Sequence, residues 1–477
     1  MMHPFASASR RAARARAALA TALATALGTA LGTALGTALA TVLAAAPAIA
    51  SAQVAPTSAP PIALTLGDAA RLAARQSALT QIANARADQA DARITQRRGE
   101  LLPQLSALVQ DGERNFNSAS LGISIPGGPF PPGGTVLGPV RNYDVRARAS
   151  MTLVDIGAWQ RTKSAHSAAD AARADAQNSA DLAANAGAIA YLRSLRAEAV
   201  VRARTADSVL ADELVGIARD QVKTGVGIGL DLTRAQSQAA AARAQLIGAR
   251  GDNDRARLDL YRALGLSLDA KVTLKDSLFA NDRTPLPFYQ DAVVQALKTR
   301  PDLAAAVAQI EAQKMALSAV RAERLPTLGI AADQGTTGIS TDRLLNTYAW
   351  GIQLSIPIFD GFRREGRLAE QSAALRELEA RDRDLRQQVA IEVRGAILDV
   401  RSAREQADAF DTRLRLAEQE LAEARDRFKA GVAGNADVIT ASLSLNGART
   451  LQVDALTQYL AARVTLARVL GAVTKLP

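Results

Sequence analysis

The side chains that carry most protein chemistry are nearly missing from this sequence. It contains no cysteine, and its only histidines are His3 and His166. Thiol nucleophiles, disulfides, cysteine-ligated zinc, iron–sulfur clusters and an acylated N-terminal cysteine are therefore excluded. His166 lies on an alanine-rich helix, which points to a surface or packing role. The glycine runs Gly127 to Gly134 and Gly225 to Gly229 lack the Lys-Ser/Thr pair and the strand-to-helix setting that phosphate binding needs. No catalytic constellation, cofactor motif or metal-ligand cluster is present, so the chain reads as a non-enzyme. What does recur is a turn that carries carboxylates. Lys223-Thr224-Gly225-Val226-Gly227-Ile228-Gly229-Leu230-Asp231 is matched by Lys429-Ala430-Gly431-Val432-Ala433-Gly434-Asn435-Ala436-Asp437. Gly225 and Gly431 suit the positive φ that follows a helix end, and Asp231 and Asp437 suit the N-caps of the next helices.

These turns must be positioned by larger elements, and the mature chain is one unit written twice. Asp68 and Asp291, like Pro103 and Pro326, are offset by 223 residues. Asp155 and Asp360 are offset by 205, and the pairs Lys223/Lys429 and Asp231/Asp437 by 206. A single insertion of about 18 residues in the first copy accounts for the jump, and it falls in the Gly/Pro-rich stretch 122–139, which reads as a loop. The first repeat is assigned to 64–287 and the second to 288–477, with tip turns at 223–231 and 429–437.

Each copy switches from a helical to a two-residue period. Tyr143, Val145, Ala147, Ala149, Met151 and Leu153 alternate with Asp144, Arg146, Arg148, Ser150 and Thr152, and Tyr348, Trp350, Ile352, Leu354, Ile356 and Ile358 alternate with Ala349, Gly351, Gln353, Ser355 and Pro357. With their hairpin partners they give strands at about 103–116, 143–154, 326–336 and 347–358. Such lengths suit tilted transmembrane strands, but four strands cannot close a barrel, so several copies must contribute. A soluble sheet with one buried face is the alternative reading. Tyr143, Tyr348 and Trp350 are placed at one end of their strands as an interfacial girdle. Two stretches, about 157–222 and 361–428, would make helices of about 100 Å, while 67–102 and 231–264 give about half that length. Pairs of short helices stacked beside long ones follow, with coiled-coil spacing at Leu414, Ala417, Leu421, Ala424 and Phe428.

Ahead of the repeats, residues 1–52 carry Arg10, Arg11, Arg14 and Arg16, then an apolar run with small residues at its end. This is the order of a cleaved signal peptide, with a transmembrane anchor as the alternative and a weak twin-arginine signature; 53–63 reads as a linker. The formal charge of +10 falls to +6 on cleavage, because four arginines and no acids leave. The remaining charges alternate in sign along helices, as in Glu377/Arg381, so nucleic acid is not implied. Aromatics are only 4%, which also argues against a compact globular enzyme.

The helix openings ending in LLPQL and RLPTL, the IPIFDGFRR stretch from Ile356 to Arg364 and the doubled K-x-G-x5-D turn together resemble the TolC family of outer membrane factors. The resemblance covers the whole mature chain. It implies an α+β membrane protein, with a long antiparallel α-helical coiled-coil tunnel plus four β-strands per chain in a trimeric 12-stranded transmembrane β-barrel. It implies an outer membrane location with a periplasmic extension, outer-membrane lipid around the barrel, and a passive exit duct of a tripartite efflux pump for small molecules. A duct for type I protein secretion is the near alternative; a structural periplasmic coiled-coil or adaptor protein is the alternative from another class. The implied partners are two further copies, a periplasmic adaptor (membrane fusion) protein and, through it, an inner-membrane pump. Adaptor docking carries over to Gly225, Val226, Gly431 and Val432, and the periplasmic entrance to Asp231, Arg234, Asp437 and Thr440. The two aspartates are alternatively helix caps only, and Arg234 and Thr440 would leave the entrance partly neutralised. The long first hairpin loop is expected at the cell surface, where it would partly cover the pore.

Overall fold

The computed structural model describes residues 62–122, 133–279, 284–430, 432 and 434–476. The signal peptide, nearly all of the linker, the centre of the long first loop and Gly431 lie outside the described residues. The unit from Pro60 to Pro477 combines a four-stranded sheet with two very long helices and shorter ones beside them.

Strand β1 (Ile62–Leu64) comes first, followed by helices α1 (Leu66–Gln76) and α2 (Ala78–Gly99). The expected single helix over 67–102 is thus two. Ser77 breaks it, because its backbone is extended at ψ 147° and its side chain accepts from the Thr80 N–H at 3.3 Å as a new N-cap. Ile62 and Ala63, read as linker, are strand. They pair in parallel with β4 (Val272–Leu274), a partner some two hundred residues away that a three-residue segment cannot announce. Asp276 accepts from the Leu66 N–H at 2.6 Å and from the buried Tyr191 hydroxyl at 3.0 Å, which ties this small sheet to the helices. Burial pushes the Tyr191 phenol well above its ordinary range, so it serves as a donor.

Strands β2 (Gln104–Asn117) and β3 (Val136–Val154) form the first hairpin; β5 (Thr327–Gly338) and β6 (Leu345–Ser355) form the second. The order is β2-β3-β5-β6, antiparallel throughout. β3 begins seven residues earlier than the alternation indicates, since Val136 and Leu137 pair with Asn117 and Phe116. Gly138 and Pro139 interrupt the pattern there without interrupting the strand, so part of the expected loop is sheet.

Register sorts the side chains by face. Leu105, Ala149, Ala332 and Trp350 stand in one row across all four strands, and Ala107, Ala147, Gln334 and Tyr348 in the next. The opposite face is polar, with Arg146 bridging Asp144 at 2.7 Å and Asp333 at 3.0 Å. Val145 to Val154 spans about 30 Å of strand, which at a barrel tilt of about 40° gives an apolar band near the ~25 Å of outer-membrane barrels. Tyr143 corrects the girdle reading. It sits opposite Gly338, six residues further toward the outer hairpin end than Trp350's row, with Arg141 over its ring at 4.8 Å. Among the described residues both outer strands, β2 and β6, have a free edge.

Helix α3 (Ile156–Lys223) follows β3, and α7 (Arg363–Lys429) follows β6; at 1.5 Å per residue each is about 100 Å long. Asp155 caps α3 by accepting from the Ala158 N–H at 2.9 Å. α4 (Gly229–Leu264) and α8 (Asn435–Val469) return from the far ends. α5 (Tyr289–Thr299) and α6 (Pro301–Ala322) repeat the α1/α2 break, here because Pro301 starts a new helix after the extended Arg300. Near the sheet the helices lie in the order α2-α3-α6-α7, the same order as the strands they adjoin. Far from it the order is α4-α3-α8-α7. Alanines on the contact faces, such as Ala184 and Ala188 of α3 against Ala70, let the helices approach closely. Among the described residues no helix is long and apolar enough to cross a membrane.

Candidate functional site at the helical tips

The two turns farthest from the sheet lie side by side. α3 ends at Lys223, Gly225 takes φ 79°, and the Val226 and Gly227 N–H groups both donate to the Gln221 carbonyl, at 3.0 and 2.9 Å. Together with the Gly225 N–H on the Val222 carbonyl at 3.2 Å, this closure caps the helix end and leaves Val226 73% exposed. At the second tip the Val432 N–H donates to the Arg427 carbonyl at 3.0 Å, and Val432 is 69% exposed. Ile228 and Leu230 are also exposed, so the first tip presents three apolar side chains to its surroundings.

Among the described residues two side-chain hydrogen bonds join the tips. Gln221 Nε2 donates to the Phe428 carbonyl at 3.2 Å, and the buried Asn435 donates through Nδ2 to the Asp231 carbonyl at 2.9 Å. Sequence reasoning missed Asn435 because its counterpart in the first copy is Gly229, so the repeat gave no signal. Below the tips Leu210, Leu214, Leu421, Phe428, Val438 and Leu445 form a core between α3, α7 and α8. Further in, the buried Asp207 accepts from Arg449 at 3.0 Å and from Arg204 at 3.2 Å. Burial pushes its carboxyl up against the pull of both arginines. Arg425 of α7 also pairs with Glu213 of α3.

The aspartates are not N-caps. Helix α4 starts after Ile228 and α8 after Gly434, neither with a side-chain cap, which leaves Asp231 and Asp437 in the first helical turn. Gly229-Leu230 and Asn435-Ala436 are already helical, so each helix begins two residues before its aspartate. In the first turn a carboxylate still interacts favourably with the helix dipole. Arg234 lies 3.9 Å from Asp231, and the Thr440 hydroxyl donates to the Ala436 carbonyl at 2.9 Å. Asp437 is exposed and has no ion pair among the described residues. The structure therefore brings Val226, Asp231, Arg234 and the start of α8 to one end of the molecule. His166 stands elsewhere, accepting from Arg98 at 2.9 Å, and no cluster of three or more metal-ligating side chains occurs among the described residues.

Comparison with known proteins agrees with this geometry. A region of 288 residues, 57% of the chain, is 26% identical to the alkaline protease secretion protein AprF of Pseudomonas aeruginosa. That region spans 58% of AprF, less than two thirds of its length. The open state of the Neisseria gonorrhoeae MtrE outer membrane channel has the same fold, with a TM-score of 0.70 at 19% identity over 86% of this chain and 89% of MtrE. The outer membrane protein VceC of Vibrio cholerae matches with a TM-score of 0.68 at 20% identity, over 85% of this chain and 96% of VceC. The profile of the outer membrane efflux protein family matches residues 70–266 and 292–472. The chain belongs to the outer membrane efflux protein family.

Proposed function

We propose that this chain is one protomer of a homotrimeric exit duct in the outer membrane, serving a tripartite efflux pump that exports small molecules. The observation that carries the proposal is the open four-stranded sheet. It is apolar on one face, polar and ion-paired on the other, and unpaired at both edges, and it continues into helices about 100 Å long. A lone sheet with two free edges is unstable against pairing, and three copies placed edge to edge remove all six edges. The helices then enclose a periplasmic tunnel, and the exposed Val226 and Val432, with Gly225 and Gly431 in the same turns, meet an adaptor protein. Asp231, Arg234, Asp437 and Thr440 line the entrance.

Detergent-extracted outer membrane tests the duct directly: a heat-modifiable trimer is expected, and a soluble periplasmic monomer would overturn it. Because the chain has no cysteine, a single Val226→Cys or Val432→Cys variant gives a unique handle. Its bifunctional crosslinking to a co-expressed adaptor is expected, while Arg255→Cys, on the exposed side of α4, should give little. Loss of the duct should raise accumulation of a fluorescent small-molecule efflux substrate. AprF favours a second reading, a duct for protein secretion, and under that reading a secreted protein would vanish from the medium while dye accumulation stayed unchanged.

A further inference from the structure

A cavity of about 900 Å³ lies between α2, α3 and α6, close to the sheet. Its walls hold four arginines, Arg86, Arg93 and Arg97 of α2 and Arg161 of α3, against a single acid, Asp175. The α2 arginines are spaced by seven and four residues, which is two turns and then one, so they form one stripe about 17 Å tall. Arg97 pairs with Glu100 at 2.7 Å, and Arg161 with Asp155 at 3.2 Å. Among the described residues Arg86 and Arg93 have no acidic partner. Asp175 does not neutralise them: burial and then the charge of Asp302 push its carboxyl up, and no arginine pulls it down. Alanines, including Ala165, Ala168, Ala172 and Ala316, form the apolar part of its floor, beside the polar Ser164 and Ser179.

The cavity is walled by α3 and by both its neighbours, so α2 and α6 flank it on one side of the α2-α3-α6 layer. The opposite side of α3 carries Trp159, stacked by Lys163 at 4.3 Å, and Arg173, paired with Asp170 and Asp91. The inference rests on the duct reading, with the cavity side of the layer facing the lumen of a closed ring of three copies. We propose that this groove is a binding step for amphiphilic organic anions, solutes with a carboxylate, sulfonate or phosphate on an apolar body, just below the barrel. The guanidinium forks of Arg86 and Arg93 would take the anionic head, and the alanine floor the apolar body. The volume suits a drug-sized solute.

Single-channel recording in phosphatidylcholine bilayers tests this with naphthalenesulfonate as the probe and naphthalenesulfonamide as its neutral counterpart. Naphthalenesulfonate is expected to interrupt the current, and the sulfonamide to need an about tenfold higher concentration. The Arg86→Gln/Arg93→Gln pair should raise the half-blocking concentration of the sulfonate about tenfold, and the Arg86→Lys/Arg93→Lys pair should stay within about threefold of wild type. Equal block by both probes, or a Gln pair that blocks like wild type, overturns the proposal. Block that appears only when anionic lipid is added assigns the site to a lipid headgroup and also overturns it. If the Gln pair opens no channels, each single Gln variant is read instead, and an unchanged half-blocking concentration in both counts against the site. Absence of any channel in wild type counts against the duct, whereas a conducting channel without block counts against the groove alone.

Discussion

Asp302 shows how a single carboxylate holds the junction of α5 and α6. Arg300, buried at 8% side-chain exposure, donates to Asp302 at 2.6 and 3.1 Å and to Glu392 of α7 at 2.6 Å. Burial alone would push the Asp302 carboxyl up, but the hydrogen bonds and charge of Arg300 bring it below its ordinary value of 3.8. A folded-state pKa below the unfolded one means that the contribution is complete above about pH 4 and fades as pH falls further. Asp302→Asn should therefore lower the melting temperature at pH 6 and narrow the gap to wild type below pH 4; a gap independent of pH would remove the charge from the explanation. Leaving Arg300 with only Glu392 should cost about 3 kcal/mol at neutral pH. At the tips, Asp437→Ala should cost under about 1 kcal/mol, as its first-turn position implies, yet change conductance or divalent-cation block in planar bilayers. Unchanged traces would leave it a helix-dipole role only. Little of this residue-scale detail was legible beforehand. Gly225 could be read from its turn, but Arg300 with Glu392 and Asn435 with Asp231 meet across the fold, at separations no local pattern encodes.

Where elements cross, glycine decides the spacing. Gly187 of α3 faces α1 so closely that an added Cβ would lie 2.4 Å from the Ala73 Cβ and 3.1 Å from the Ala69 carbonyl. Gly216, further along the same helix, has nothing within 4 Å. Helix propensity favours alanine at both sites by about 1 kcal/mol, but at Gly187 overlap works against it. Gly216→Ala should thus raise thermal stability slightly, and Gly187→Val should lower it by about 1–3 kcal/mol, with Ala73→Gly restoring part of the loss. Melting curves of the single and double variants check this, and equal effects at the two glycines would refute the close approach. Elements were the most legible scale of the sequence. Long runs with a helical period and strands with clear alternation announce themselves, as α3, α7, β3 and β6 do, and β2 and β5 follow as their hairpin partners. The breaks at Ser77 and Arg300 were not anticipated, because a turn of extended backbone inside a helical pattern leaves the hydrophobic period nearly unchanged. The basic stripe did have a signal, since Arg86, Arg93 and Arg97 recur at helical spacing, but only the neighbouring helices reveal that it faces a cavity.

At the scale of the molecule, strands and helices share one order, β2-β3-β5-β6 above α2-α3-α6-α7, so the same edges stay open in both layers. A neighbour that pairs with β6 must also meet α7, and closing the barrel closes the tunnel. The sheet face decides what surrounds that barrel. Ile352 stands on the apolar face, 62% exposed, opposite Ile330, while its neighbour Gln353 points to the polar face with the Arg146 ion pairs. In the proposed barrel, lipid outside and water inside would make opposite demands on these adjacent positions. Arginine at 352 would have to enter the hydrocarbon at about 2–4 kcal/mol per copy, whereas arginine at 353 would join a wet, already charged lumen. Ile352→Arg should therefore abolish the detergent-resistant trimer in outer-membrane extracts, and Gln353→Arg should keep the trimer and alter only its conductance. Equal tolerance at both positions would mean that the apolar face meets no lipid, and the sheet would have to be covered by protein instead.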